Sequence, residues 1–268
     1  MHEADVAFTG SIPELYDTHL GPFLFAPYAR EMAARVVRLN PSSLLEVAAG
    51  TGVATRELAR GLPATPIVAT DLNVAMLDRA RGVVTAPNVT FAQADAMSLP
   101  YDDARFQAIV CQFGVMFFPD RVAAFREARR VLARGGTYLF SVWSGVGDND
   151  AGRIVQDVVT AAFPTDPPTF LRRTPYGHGD PVAIERDLRA AGFGRIVCDE
   201  VAERSVAQTA TGVARGLIEG SPLRAEIVAR DPARIAEIVR ATEVALAASL
   251  GEPLDGAMRA LVFRASVY

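Results

Sequence analysis

One stretch limits the folds open to this chain: Leu44-Leu45-Glu46-Val47-Ala48-Ala49-Gly50-Thr51-Gly52, followed at once by a helical pattern from Val53 to Leu62. An apolar run that meets a Gly-x-Gly turn and then a 3.6-residue period reads as strand, tight loop and helix start. Glycine tolerates positive φ and, lacking a Cβ, lets a ligand approach the backbone. Gly50 and Gly52 therefore mark the opening of a nucleotide-type binding fold.

The spacing separates two versions of that fold. A dinucleotide fingerprint wants Gly-x-Gly-x-x-Gly with a pyrophosphate on the helix N-terminus; here Thr55 stands at the third position. Glu46, at the strand end, would repel a pyrophosphate but suit a cationic amino group. Both features disfavour a nicotinamide-dependent oxidoreductase.

Composition removes other classes. All 27 basic residues are arginine, so Schiff-base lysine chemistry and the phosphate-loop Gly-Lys-Ser/Thr are excluded. A net charge of −4 argues against a nucleic-acid surface and for a small-molecule substrate. The two cysteines, Cys111 and Cys198, fall in strand-like apolar runs and read as buried small hydrophobes, with no metal site. No charged n-region followed by an apolar h-region opens the sequence, and the longest uncharged apolar run, Phe106 to Phe118, is too short for a bilayer; both predict a cytoplasmic protein.

Glu46-Val47-Ala48-Ala49-Gly50-Thr51-Gly52 resembles the first motif of the class I S-adenosylmethionine-dependent methyltransferases, acid-x-Gly-x-Gly-x-Gly, with Ala48 in place of the first glycine. The resemblance extends over about 30–147, 181–204 and 258–268, and is nearest to the type related to quinone-biosynthesis C-methyltransferases. It implies S-adenosylmethionine as cofactor and Glu46, Ala48, Gly50, Thr51 and Gly52 as cofactor contacts.

The rest of the chain is read against this frame. Pro66 to Asp71 is a second strand ending in an acid, where nucleoside-binding α/β folds hold ribose hydroxyls. Leu72 follows it, and Met76, on the helical Asn73–Arg81 segment, either lines the adenosine pocket or faces the core. Val89 to Gln93 reads as a third strand; in similar methyltransferases an acid placed like Asp95 accepts the adenine amine while the amide of the next residue, Ala96, meets a ring nitrogen. Gln107 to Gln112 is a fourth strand, and Gln112 and Phe113 lie at its carboxyl end, where such sheets bind ligands. The Asn/Asp-Pro-Pro-aromatic tetrad of nucleic-acid amino-methyltransferases is replaced by Gln112-Phe113-Gly114-Val115.

Pro119 opens a helix that Gly135-Gly136 stops, with Arg126, Arg129, Arg130 and Arg134 on a solvated face; Thr137 to Trp143 is a fifth strand. A helix from Ile154 to Phe163, a proline-rich link and a loop carrying Arg172, Arg173 and His178 come next. Then follow a helix over Pro181–Ala191, a sixth strand over Arg195–Val201, helices with Ile235, Ile238, Val239, Thr242 and Leu246 on one face, and a seventh strand over Met258–Val267.

The expectation is an α/β fold: a doubly wound, seven-stranded Rossmann-like sheet with its last strand antiparallel, an N-terminal flap and a helical lid insertion. The predicted boundaries are a flap over 1–29 and a core over 30–204 with a substrate-side insertion at 148–180. A lid over 205–257 and a last core strand over 258–268 complete it. The first helix is expected at Arg30–Leu39, after an aromatic-rich flap whose Tyr16 and Phe25 either pack on the core or close over the cofactor. His19 and His178 are base candidates by type, with Tyr16, Tyr176 and Gln112 as polar orienters; no catalytic residue is assigned. The predicted reaction is in-line methyl transfer to a small hydrophobic or aromatic molecule. A catalytically silent cofactor-binding protein is the alternative, and homodimerisation stays open.

Overall fold

In the computed structural model, which describes residue 8 and residues 10–267, a helical turn α1 (Ile12–Leu15) passes into a π-helical stretch over Tyr16–Phe25 and then α2 (Ala26–Leu39). The first helix thus begins well before the predicted Arg30. The segment around Gly21-Pro22, expected as an aromatic-rich flap ahead of the first helix, is itself helical: the wider π turn carries Pro22 inside it, and the Ala26 amide reaches back to the Gly21 carbonyl. The remainder of the predicted flap, residues 1–7 and 9, lies outside the described residues, as does Tyr268 at the end of the last predicted strand.

Strands and helices then alternate: β1 (Leu44–Val47), α3 (Val53–Gly61), β2 (Ile67–Asp71), α4 (Val74–Val83), β3 (Val89–Gln93), β4 (Phe106–Gln112), α5 (Arg121–Val131) and β5 (Leu132–Trp143). Beyond them come α6 (Asp150–Ala162), α7 (Phe170–Arg173), α8 (Pro181–Ala190), β6 (Arg195–Ala207), α9 (Ala210–Glu219), α10 (Leu223–Arg230), α11 (Ile235–Leu250) and β7 (Leu254–Ser266).

The seven strands form one sheet in the order β3-β2-β1-β4-β5-β7-β6. β1 pairs in parallel with both β2 and β4, with Glu46 level with Ala69 on one side and Val110 on the other. β7 runs antiparallel to β5: Gly135 and Val267 pair at one end of the ladder, Ser144 and Arg259 at the other. Strand order reverses beside β1, and in such sheets the ligand crevice opens at the carboxyl ends of the strands at that point. All four residues of β1 are buried, as expected of a central strand covered on both faces.

Several local expectations change. Gly135-Gly136 lies inside β5, and α5 stops at Val131. The β4–β5 register shifts between Phe106 and Ala108, and a Cβ on Gly136 would come within 2.9 Å of the Gln107 carbonyl, so the glycine pair serves a bulge. β6 continues to Ala207 and β7 begins at Leu254, longer than predicted. The segment carrying Arg172 and Arg173 is helical in α7. Cys111 is buried, but Cys198 is exposed, because β6 is an edge strand.

The chain clusters into two compact units. One holds Tyr28–Val142, Gly179–Val201 and the chain from Ala260, with β1 to β4 and their helices. The other holds the described residues up to Pro27, Trp143–His178 and Ala202–Arg259. In this second unit the π-helical stretch lies on α9, against a row of glycines. Cβ atoms at Gly212 and Gly216 would collide with the His19 side chain at 2.7 and 2.8 Å, and one at Gly220 would come within 3.2 Å of the Tyr16 amide nitrogen. No helix among the described residues is long and apolar enough to cross a membrane.

Candidate functional site

The site is built first by the turn between β1 and α3. Ala48, Gly50 and Gly52 all take positive φ, at 56°, 56° and 82°. Gly52 occupies the N-cap of α3, where a Cβ would meet Val84 at 2.8 Å. Thr51 is buried, and the Ala49 amide donates to the Thr70 carbonyl at 2.9 Å, which ties the turn to β2.

Ala48 shows what the missing first glycine costs. It holds a left-handed conformation that non-glycine residues adopt reluctantly, and its methyl group lies where Gly114 comes closest. A Cβ added to Gly114 would fall 2.5 Å from the Ala48 Cβ and 2.7 Å from the Cys111 Sγ. The glycine missing from the first turn is therefore matched by a glycine after β4.

Two carboxylates stand at neighbouring strand ends. Glu46 is 1% exposed and accepts a 2.6 Å hydrogen bond from the Thr55 hydroxyl. Burial pushes its carboxyl up to about 8, against the opposing pull of Thr55, with the Asp71 charge adding to the rise. Asp71 accepts from the Gly50 amide through Oδ2 and from the Asn73 amide through Oδ1, each at 2.8 Å. Burial raises its carboxyl too, while these amides pull it down. Asn73 then caps α4, accepting from the Ala75 and Met76 amides.

Around this pair, Met76 is buried with its methyl carbon 3.7 Å from where a Cβ on Gly50 would lie, and Leu72 is 57% exposed. Asp95 lies two residues beyond β3 and accepts the Met97 amide at 2.8 Å; Ala96 is buried beside it. Gln112 ends β4. Phe113 follows with φ 53°, donates its amide to the Ser141 carbonyl at 3.1 Å, and meets the Tyr28 ring edge-on at 5.2 Å.

Glu46, Ala48, Gly50, Thr51, Gly52, Asp71, Leu72, Met76, Asp95, Ala96, Gln112 and Phe113 thus all belong to one unit, at the turns after β1 to β4. Tyr16 and Phe25 belong to the other, where they stack on each other at 4.8 Å, with Phe25 6.1 Å from Trp143. Trp143 in turn is 6.0 Å from Tyr176.

Sequence reasoning passed over three participants. Thr55 counted only as a fingerprint mismatch, although as a buried hydroxyl one turn into the helix it can reach the strand-end acid. Tyr28 was assigned to the flap, yet it packs on Phe113 and donates to the Val201 carbonyl. Arg130 was assigned to a solvated face. Arg126, Arg129 and Arg134 are exposed, but Arg130 bonds Glu127, Asp103 and the carbonyls of Leu99 and Tyr101.

Comparison with known proteins bears on what such a site serves. Residues 44–136 match a methyltransferase-domain family model. The chain is similar to a demethylmenaquinone methyltransferase of Deinococcus radiodurans, with 39% identity over 62% of this chain and 73% of that one. It is also similar to the ubiquinone/menaquinone biosynthesis C-methyltransferase UbiE of Methylobacterium nodulans, with 39% identity over 42% of this chain and about half, 47%, of the relative. Among solved structures, the YcgJ protein of Bacillus subtilis superposes with a TM-score of 0.56 at 18% identity, over 89% of this chain and 99% of that one, a likeness of fold.

Proposed function

Since this chain belongs to the class I S-adenosylmethionine-dependent methyltransferases and is an enzyme that transfers the methyl group of that cofactor, we propose that its acceptor is a small hydroxylated aromatic or quinol-type ring. The observation that carries the cofactor half of this reading is the bond from the Gly50 amide to the Asp71 carboxylate. It sets a glycine turn and a strand-end acid against each other at the point where strand order reverses.

The residues fit the cofactor's chemistry. Glu46, raised by burial, is short of positive charge, which the cofactor's ammonium supplies, and Asp71 is a carboxylate acceptor at the neighbouring strand end. In this reading Glu46 takes the amino group, and the turn through Ala48, Gly50, Thr51 and Gly52 lies along the amino-acid part. Asp71 takes the ribose hydroxyls. Leu72 and Met76 flank the adenine, Asp95 and the Ala96 amide read its edge, and Gln112 and Phe113 line the methyl end.

The cofactor supplies a methyl group already activated as a sulfonium. The protein's part is then alignment and exclusion of water, and alignment is worth about 7–11 kcal/mol in favourable cases. We assign the acceptor side to the predicted flap, insertion and lid segments, where Tyr16, Phe25, Trp143 and Tyr176 form a run of rings. Flat aromatic surfaces suit a flat acceptor. The names of two relatives point the same way, one a demethylmenaquinone methyltransferase and the other a ubiquinone/menaquinone biosynthesis C-methyltransferase.

The test is transfer of isotopically labelled methyl from S-adenosylmethionine to parallel acceptors: a hydroxylated naphthalene, an aliphatic alcohol, a peptide mixture and an RNA. Label in the aromatic compound alone is expected. Label in peptide or RNA instead would overturn the assignment.

A further inference from the structure

Residues 95–103 lie within the loop that joins β3 to β4 and are anchored at a distance by one side of α5. Arg130 donates to the Leu99 carbonyl at 2.9 Å, the Tyr101 carbonyl at 2.7 Å and Asp103 at 2.8 Å. Glu127 accepts the Leu99 amide at 2.8 Å and itself receives two bonds from the Arg130 guanidinium, both at 2.8 Å. The Arg130 carbonyl accepts the Ala104 amide at 2.9 Å. Both hydrogen-bonding groups of the Leu99 backbone are thus held by one ion pair, four residues after Asp95.

The short stretch between carries hydrogen bonds of its own. Asp95 accepts the Met97 amide through its side chain and the Ser98 amide through its carbonyl, at 2.8 and 3.0 Å. Leu99 is buried. A displacement of Leu99 has little slack to absorb it before it reaches Asp95.

We propose that Arg130 and Glu127 are positioning residues that set the enzyme's selectivity for adenine, by fixing through Leu99 where the Asp95 carboxylate stands. This rests on the reading of Asp95 as the acceptor of the adenine amine. A planar guanidinium fork can hold two carbonyls and two carboxylates at once, whereas an ammonium at the same place is a point charge with three donors. Lysine therefore keeps the charge and loses the geometry.

The experiment compares binding of S-adenosylhomocysteine with that of its 6-oxopurine analogue, which lacks the amine, by calorimetry on the full chain. The wild type should prefer the adenine compound by about tenfold or more, since a site built to hydrogen-bond a group rejects a ligand without it. Asp95→Ala should abolish that preference. Arg130→Lys and Glu127→Gln should weaken S-adenosylhomocysteine by about tenfold, leave the analogue nearly unchanged, and raise the cofactor KM more than they lower kcat. Arg126→Lys, on the exposed face of the same helix, should match the wild type.

If Asp95→Ala loses the preference while Arg130→Lys and Glu127→Gln retain it, the positioning role is wrong, even if those variants melt earlier. If Asp95→Ala retains the preference, the reading of Asp95 fails and the proposal fails with it. If Arg130→Lys does not fold, Glu127→Gln alone decides the matter.

Discussion

The Thr55 hydroxyl donates a 2.6 Å hydrogen bond to the Glu46 carboxylate, with both residues buried. The bond favours the ionised acid, while burial favours the protonated one and prevails, holding the carboxyl near 8 instead of its ordinary 4.5. The folded chain thus binds the proton more tightly than the unfolded chain does. Through Glu46, stability of the unliganded protein should fall as pH rises from about 4.5 to about 8 and level off above; thermal denaturation across pH reads the slope, and Glu46→Gln should reduce it to the part that the raised Asp71 carboxyl contributes. Affinity for S-adenosylhomocysteine, whose ammonium prefers the ionised acid, should rise through the upper part of that window. Thr55→Val, lacking the donor, should shift this rise to higher pH in calorimetric titrations.

Gly114 cannot accept a side chain while Ala48 keeps its methyl group, because the two carbons would be 2.5 Å apart. Gly114→Ala should cost at least about 2 kcal/mol by chemical denaturation, as overpacking of a filled site does. Ala48→Gly alone should stabilise by about 1 kcal/mol, since it relieves a left-handed alanine. In the double variant part of the Gly114→Ala loss should be recovered, leaving the share due to the Cys111 sulfur, and a double-mutant cycle measures that coupling.

Asp71→Asn keeps the shape of the side chain and one acceptor oxygen but cannot accept from both the Gly50 and Asn73 amides. A fully buried unsatisfied amide costs about 1–3 kcal/mol, and since both of these amides are only part-buried a loss of about 1 kcal/mol is expected in unfolding free energy. Affinity for S-adenosylmethionine should fall by more than about tenfold, because the ribose hydroxyls lose a charged acceptor. Unchanged affinity would remove Asp71 from the cofactor site.

Gly152→Ala probes the other unit. A Cβ there would stand 2.6 Å from the Tyr176 hydroxyl and ring, so the ring must move away from α6. If the rings of Trp143 and Tyr176 receive the acceptor, its KM should rise several-fold while S-adenosylhomocysteine binds as before. Steady-state kinetics with the acceptor varied, alongside calorimetry, separates the two effects.

What the sequence by itself determined is what neighbouring residues settle among themselves. The apolar runs and helical periods yield the alternation of strands and helices, and Gly50 and Gly52 mark the turn after β1. The acids at Glu46 and Asp71 follow directly as strand ends. A Rossmann-like sheet follows from that order of elements, because parallel strands joined by helices have few ways to pack. What only the tertiary structure decided depends on partners far along the chain. Arg130 looked like one arginine of a solvated stripe until it met Leu99 and Tyr101, 31 and 29 residues away. The segment around Gly21-Pro22 belonged to an expected flap, and it is a wide helical turn lying on three glycines of α9 and its C-cap. Gly135-Gly136 looked like a helix stop until β4 required a bulge opposite it. Cys198 looked buried by its apolar neighbours, and its strand proved to be the sheet's edge. In each case the local pattern admits more than one structure, and a contact absent from the local sequence selects one.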